Sequence, residues 1–236
     1  MDKYKIIAIV LIILLFLIIS VLTSRTRIVT TYKKYLKKDN KLNITGKQLA
    51  FIAKQQLDLH DLKFALTKRR LGDAYNYKYK TLIMSEEVCD TASIASLTIV
   101  AHELGHAMQQ RDNSPLFNVT ILTNKITRLT SSLIFPLLIV GLLFHWFSYP
   151  TENFGIILVI ISASLFIIQI FNKLLNIPLE YNASRRALNF LKEYNYVTNS
   201  ELHRAKKLLG IAAKTYIAGL FDELIPIKRK RRRKRR

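Results

Sequence analysis

Three long apolar runs constrain the fold more than any other feature of this sequence. They cover residues 6–22, 133–147 and 154–171, and a short turn that contains a proline separates the last two. A helix rises 1.5 Å per residue, so each run with its flanking residues is about long enough to cross the hydrocarbon core of a bilayer. The sequence therefore predicts a mainly α-helical membrane protein with three transmembrane helices, of which the second and third form a hairpin.

The first run is either a retained anchor or a secretory signal peptide. It is longer than the usual apolar core of a signal peptide, which has about 7–15 residues. Arg25 and Arg27 follow it where small residues at a cleavage site are expected. We therefore predict a transmembrane anchor.

Positive charge is distributed unevenly around the three runs. The formal net charge is +21, and nine of the positive charges lie in a row from Lys228 to Arg236. Basic residues also follow the first and third runs, whereas the turn between the second and third carries Glu152 and no Lys or Arg. The positive-inside rule thus predicts a multi-pass protein of the cell membrane whose polar segments face the cytoplasm.

The segment Ala-His-Glu-Leu-Gly-His at 101–106 lies in a stretch that is predicted to be helical. Residues four apart share one face of a helix, so His102 and His106 can bind one Zn²⁺ ion. Glu103 is then placed to act as general base on a water whose pKa zinc lowers to about 7. The alternative is a helix that merely exposes two histidines. However, two imidazoles and a carboxylate among apolar neighbours need a partner that offsets their desolvation.

Shorter elements are predicted before this zinc helix. Helical spacing of apolar residues predicts a helix over 45–56, and alternating patterns predict strands over 57–65 and 75–84. Asp90 or Ser93 is the predicted cap of the zinc helix. The second strand is either a scaffold strand or an edge strand that pairs with extended substrate. The fold class is therefore a zincin-like catalytic helix with a small β element.

A catalytic zinc commonly has three protein ligands, and two acidic residues are candidates for the third. Asp112 follows His106 by six residues, but the glycine that would turn the chain back is missing, so a continuing helix points Asp112 away. Glu180 lies early in a helix predicted over 176–193, with alanines on the same face that allow close approach. It is either the third ligand or a first-turn glutamate favoured by the helix dipole.

These features divide the chain into five predicted segments. They are an anchor (1–24), a cytoplasmic part with the zinc helix (25–128), a transmembrane hairpin (129–172), a cytoplasmic helical part (173–227) and a polybasic tail (228–236). Because both cytoplasmic parts lie on one side of the membrane, the later part can complete a metal site that begins in the earlier one.

Two segments carry a specific resemblance: A-H-E-L-G-H-A-M-Q at 101–109 and L-E-Y-N-A-S-R-R-A-L at 179–188. Weaker matches are L-G-D at 71–73 and A-K-T-Y-I-A at 213–218. With these motifs the chain resembles the YugP-like membrane zinc metallopeptidases, and their order also resembles HtpX-type membrane proteases, which hold zinc on the cytoplasmic side.

The resemblance implies His102, His106 and Glu180 as zinc ligands, Glu103 as general base and peptide hydrolysis as the reaction. It also leads us to expect Asp two residues after the ligand Glu. The chain has Asn182 there, so a carboxylate that orients a ligand histidine is missing, which can weaken metal binding or activity.

The sequence thus predicts a membrane-bound, zinc-dependent endopeptidase that acts on membrane-associated proteins or peptides. One alternative is a catalytically silent membrane scaffold that keeps zinc for stability. Another is a binding protein that acts through its tail, from Lys228 to Arg236. Such a run beside a membrane more often binds anionic lipid headgroups than nucleic acid. His203 and Tyr216 are both candidates for stabilising the transition state, and the sequence selects neither.

Overall fold

The computed structural model of the protein describes residues 26–147 and 152–222. The predicted anchor and the basic tail lie outside the described residues. In chain order the elements are α1 (26–36), α2 (Gly46–Gln56), β1 (Lys63–Thr67), β2 (Ala74–Asn76), β3 (Thr81–Ser85), α3 (Glu86–Asp90), α4 (Ile94–Arg111), α5 (Pro115–Thr130), α6 (Ile134–Phe147), α7 (Glu152–Glu193) and α8 (Asn199–Asp222). The described part is mainly helical with one small sheet, as the sequence predicted.

The sheet has three strands in the order β1-β3-β2, with β1 parallel and β2 antiparallel to β3. The prediction of one strand over 75–84 is wrong, because the chain turns between β2 and β3. The Asn76 side chain accepts hydrogen bonds from the backbone N–H groups of Lys78 and Tyr79, and Lys80 adopts a φ of 48°. A side chain that bonds to its own following backbone favours a turn over a strand. In the strand order β1-β3-β2, the short strand β2 forms one edge of the sheet.

The helix α4, which carries the two histidines, lies at the centre of the fold. It contacts α2, α7, α8 and the sheet, and its residues Leu97, Ala101 and Leu104 are fully buried. Its N-cap is Ser93, whose Oγ accepts a hydrogen bond from the backbone N–H of Ser96 at 3.0 Å. Of the two predicted caps, the structure selects Ser93. The two histidines thus lie on a helix that is largely enclosed by other elements.

The helix α7 is continuous over 42 residues, from Glu152 to Glu193. The prediction of a separate helix that begins at Asn176 is wrong, because Pro178 lies inside α7. An interior proline removes one backbone hydrogen bond, but packing of α7 against α4, α5 and α8 holds the helix on both sides of it. Glu180 therefore lies far from the helix N-terminus, and the alternative of a first-turn glutamate favoured by the dipole is also wrong.

Large hydrophobic side chains are exposed along α6 and the first half of α7. They include Phe135, Ile139, Leu142, Leu143, Trp146, Phe154, Ile157, Ile160, Ile167 and Phe171. Among the described residues, one helix, Asn153–Glu193, is long and apolar enough to cross a membrane. The pair α5 and α6, bent by 48°, counts as a second span only if the two helices are taken together. The structure therefore does not confirm three transmembrane helices.

The helices α6 and α7 pack closely at two glycines. A Cβ atom added at Gly155 would lie 2.5 Å from the backbone nitrogen of His145 and 2.6 Å from the carbonyl oxygen of Gly141. Nearby, the Ser162 hydroxyl donates to the carbonyl of Ile134 at 2.7 Å. The predicted hairpin partners are thus in direct contact along the apolar part of the chain.

Candidate metal centre

The contact between α4 and α7 depends on small residues. A Cβ atom added at Gly105 would lie 2.4 Å from the carbonyl oxygen of Ala183, so any larger residue would push the two helices apart. Ala183 and Ala187 are fully buried. Gly105 lies between the two histidines, and Ala183 lies one turn after Glu180. The close approach therefore brings the three predicted ligands to the same place.

The side chains of His102, His106 and Glu180 converge at this contact. The Oε2 atom of Glu180 lies 3.1 Å from Nε2 of His102 and 3.4 Å from Nε2 of His106. One potential ligand atom from each residue lies within 4.8 Å of the others. Among the described residues, these three form the one group of His, Cys, Asp and Glu side chains that is arranged to hold a metal ion.

The chemistry of these donors fits a divalent cation. Burial lowers the pKa of His106, but the hydrogen bond and negative charge of Glu180 outweigh burial and raise that pKa to about 9. The site thus favours positive charge at the point where the three side chains meet. Two imidazoles and one carboxylate are also a donor set that catalytic zinc sites use.

A buried glutamine orients one of the imidazoles. Oε1 of Gln109 lies 3.0 Å from Nδ1 of His106. The Gln109 Nε2 group donates to the carbonyl of Leu179 at 2.9 Å and to Oδ1 of Asn182 at 3.0 Å. Because both acceptors face the amide nitrogen, Oε1 must accept, and Nδ1 of His106 must be the protonated ring nitrogen. In the neutral tautomer, the Nε2 lone pair then points towards Glu180, as a metal ligand requires.

The other imidazole has a weaker partner, since Oγ of Ser184 lies 3.3 Å from Nδ1 of His102. Sequence reasoning missed the roles of both Gln109 and Ser184. The signal was nonetheless in the sequence, because each lies in one of the two motifs that carry the resemblance. Position 109 is also the place at which a glycine would be needed to turn the chain back towards Asp112.

Asn182 supports the site indirectly. Its Oδ1 accepts hydrogen bonds from Gln109 and, at 3.0 Å, from Nε of Arg186. An amide oxygen serves this purpose as a carboxylate would, so the bridge to His106 through Gln109 is intact. Asp112, the rejected ligand candidate, pairs with Arg111 and Arg186 instead.

Glu103 is oriented by the edge of the sheet. Its Oε2 atom accepts a hydrogen bond from the backbone N–H of Tyr75 in β2 at 2.8 Å. Gln110 accepts from the Tyr75 hydroxyl at 2.6 Å and donates to the carbonyl of Tyr77 at 3.2 Å. Side chains of α4 thus form hydrogen bonds with backbone groups at this edge of the sheet. An extended substrate would need the same backbone groups in order to pair with the strand. These contacts favour the scaffold interpretation of the strand.

The predicted candidates for transition-state stabilisation receive little structural support. His203 is exposed on α8. The side chain of Tyr216 lies outside the described residues.

Comparison of the whole chain with known proteins agrees with this geometry. A family model described as "Putative neutral zinc metallopeptidase" matches residues 9–229. The chain belongs to this zinc metallopeptidase family. One relative is the "Putative membrane protease YugP" of Bacillus subtilis (strain 168), which is 27% identical over 205 residues, or 86% of each chain. No solved structure matches the chain.

Membership of the neutral zinc metallopeptidases confirms the resemblance drawn from the two motifs. The family description implies zinc, and the group formed by His102, His106 and Glu180 is where the described residues could hold it. The curated relative is named a membrane protease, and this chain has a helix that is able to span a membrane.

Proposed function

We propose that this protein is a membrane-bound, zinc-dependent endopeptidase. His102, His106 and Glu180 hold the metal, and Glu103 is the general base. The observation that supports this most strongly is the convergence of Glu180 on the imidazole of His102, which lies 78 residues earlier in the chain, and on that of His106. When bound there, zinc supplies Lewis-acid chemistry that polarises a peptide carbonyl and makes water a nucleophile near neutral pH.

The chain's own residues supply orientation and proton transfer. The backbone N–H of Tyr75 holds the carboxylate of Glu103 in place, and this carboxylate takes a proton from the attacking water and returns it to the leaving amine. Gln109 and Ser184 hold the two imidazole rings through their Nδ1 atoms. These contacts fix the groups before substrate arrives, which reduces the reorganisation needed during the reaction.

The orientation that we propose is supported by the same contacts. The second half of α7 touches α4 at Ala183 and Gly105, which supports placing segments 25–128 and 173–227 on one side of the membrane. The distribution of Lys and Arg favours the cytoplasmic side. The exposed apolar side chains of α6 and α7 fit lipid, which supports a site beside the bilayer. We therefore assign membrane-associated proteins or peptides as substrates of a multi-pass enzyme.

The test combines metal analysis with turnover of a casein-type substrate on purified wild type, Glu103→Gln and Glu180→Ala. We expect zinc in wild type and in Glu103→Gln, and little in Glu180→Ala. Turnover in Glu103→Gln should fall by about 10²–10⁴-fold, the usual contribution of a general base. Equal turnover by wild type and Glu103→Gln would refute the role of Glu103. If chelation unfolds the protein and no sample shows proteolysis, the protein is instead a zinc-stabilised scaffold.

A further inference from the structure

A cavity of about 200 Å³ adjoins the proposed catalytic residues. His102 and Glu103 form part of its wall, so it lies directly beside the place where a peptide would be cleaved. Sites for small-molecule ligands usually enclose about 300–1,000 Å³. This cavity is smaller, and its size suits one amino-acid side chain of a bound polypeptide.

Most of the remaining wall is apolar and comes from several elements. Ile28 lies on α1, Leu71 on the loop before β2, Ile99 on α4, and Leu208 and Leu209 on α8. Contact between this wall and methylene groups removes apolar surface from water, which stabilises a bound aliphatic chain. The cavity therefore favours a long side chain with an aliphatic stem.

One carboxylate, that of Asp73, also lines the cavity. It accepts hydrogen bonds from the backbone N–H and the hydroxyl of Ser85, at 2.6 and 3.0 Å. Within the described part of the chain it forms no ion pair, whereas the nearby Glu87 pairs with Arg70 at 2.5 Å. Burial raises the pKa of Asp73. A partly buried carboxylate without a cation is costly, and a cation from a ligand would offset that cost.

We propose that this cavity binds the side chain of a Lys or Arg residue next to the scissile bond. The aliphatic stem would lie against the apolar wall and the cationic end would pair with Asp73, since long basic side chains combine these two properties. The carboxylates of Asp73 and Glu103 would disfavour an acidic side chain. This inference rests on the proposed function and adds a substrate class to it.

The first test uses zinc-loaded protein and a series of quenched fluorescent peptides that differ at one position flanking the cleaved bond. That position carries Lys, norleucine or Glu; norleucine keeps the aliphatic stem of Lys but lacks its amine. In wild type we expect kcat/KM to be about tenfold higher for Lys than for norleucine, and lowest for Glu. In Asp73→Asn the advantage of Lys should disappear, while norleucine is cleaved within about twofold of wild type. A norleucine peptide cleaved as well as the Lys peptide by wild type overturns the proposal.

A second variant covers the case in which Asp73→Asn fails to fold, since Asp73 also bonds to Ser85. Ile28→Phe narrows the cavity from α1 without changing its charge. It should slow cleavage of the Lys and norleucine peptides by a similar factor, while a peptide with Ala at that position is unaffected. Unchanged cleavage of all three peptides would show that the cavity does not hold this side chain.

Binding measurements separate this inference from the proposed hydrolysis. Calorimetry on zinc-loaded wild type would compare the hydroxamates of N-acetyl-lysine, N-acetyl-norleucine and N-acetyl-glutamate, which bind metal without being cleaved. If no peptide is cleaved but the lysine compound binds about tenfold more tightly than the norleucine compound, the cavity assignment stands and the peptidase proposal fails. Equal affinities with intact peptide cleavage overturn the cavity assignment alone. If no compound binds and no peptide is cleaved, both are overturned.

Discussion

The two halves of α7 have opposite surroundings although they form one helix. In the first half, large side chains such as Ile160, Ile167 and Phe171 are exposed, and Ile167 is 65% accessible. In the second half, Ala183, Ala187 and Leu191 are fully buried. The helix has bulky apolar residues where its outer neighbour would be lipid and small residues where its neighbour is α4. Packing against α4, and not the helix itself, therefore creates the candidate metal centre.

The largest contrast should come from truncating one large side chain in each half. Leu191→Ala leaves a cavity in the core and should cost about 2–5 kcal/mol of stability, as buried leucines usually do. Ile167→Ala removes an exposed side chain and should change stability by about 0.5 kcal/mol or less. Chemical unfolding in detergent measures both. Equal losses would show that the two halves are packed alike, against our comparison.

Gly105 tests the close approach of α4 and α7. Gly105→Ala places a Cβ atom against the backbone of Ala183, and we expect a loss of about 1–3 kcal/mol together with weaker zinc binding. Gly210→Ala is the matched control, because nothing lies within 4 Å of a Cβ added there. In an interior turn of α8, this control should be neutral or gain about 0.5–1 kcal/mol. Thermal unfolding and zinc content read out both variants. An unaffected Gly105→Ala protein would rule out the tight contact.

A substitution at Gln109 tests how much the hydrogen bond to Nδ1 of His106 contributes to metal affinity. Gln109→Leu removes the acceptor that orients His106, and loss of such a partner typically lowers metal affinity by about 10–100-fold. Competition with a zinc chelator measures the change. Because Gln109 is fully buried, unfolding curves must be recorded alongside. An unchanged zinc affinity in a folded variant would mean that the glutamine does not set the imidazole tautomer.

The smallest effect should come from Asn182→Asp. A carboxylate at this position can accept the same two hydrogen bonds from Gln109 and Arg186, so we expect zinc affinity and turnover to change by less than about threefold. The hydrogen bond from the Arg186 guanidinium would become part of an ion pair and therefore somewhat stronger. A large gain in activity would instead show that the asparagine impairs this site, as the family resemblance implied.

The local part of the site could be predicted from the sequence. His102, Glu103 and His106 lie within five residues, and helical geometry alone places the two imidazoles on one face. The apolar runs also followed from composition, because long stretches of apolar side chains require either a core or lipid. The choice of Glu180 over Asp112 relied on helix direction and on a family motif, and the structure brings Glu180 to the histidines.

Other features could not be predicted because they arise between distant segments. The hydrogen bond from Tyr75 to Glu103 involves a backbone N–H group, which any residue type except proline can provide, so the sequence does not reveal it. The continuity of α7 through Pro178 depends on packing from three other helices, and local propensity favoured a break. The turn that separates β2 from β3 depends on a side-chain cap by Asn76 that alternation of apolar residues does not reveal.

Residue types and their local spacing already define the chemical groups of this protein: two imidazoles and a carboxylate on one helix, beside runs of apolar residues that suit a bilayer. These are properties of residue type and of spacing within a single element. The contact of the Glu180 carboxylate with the imidazoles arises only in the folded chain, because it requires α4 and α7 to touch at Gly105 and Ala183. A contact across 78 residues depends on the packing of the whole fold, which no local pattern records.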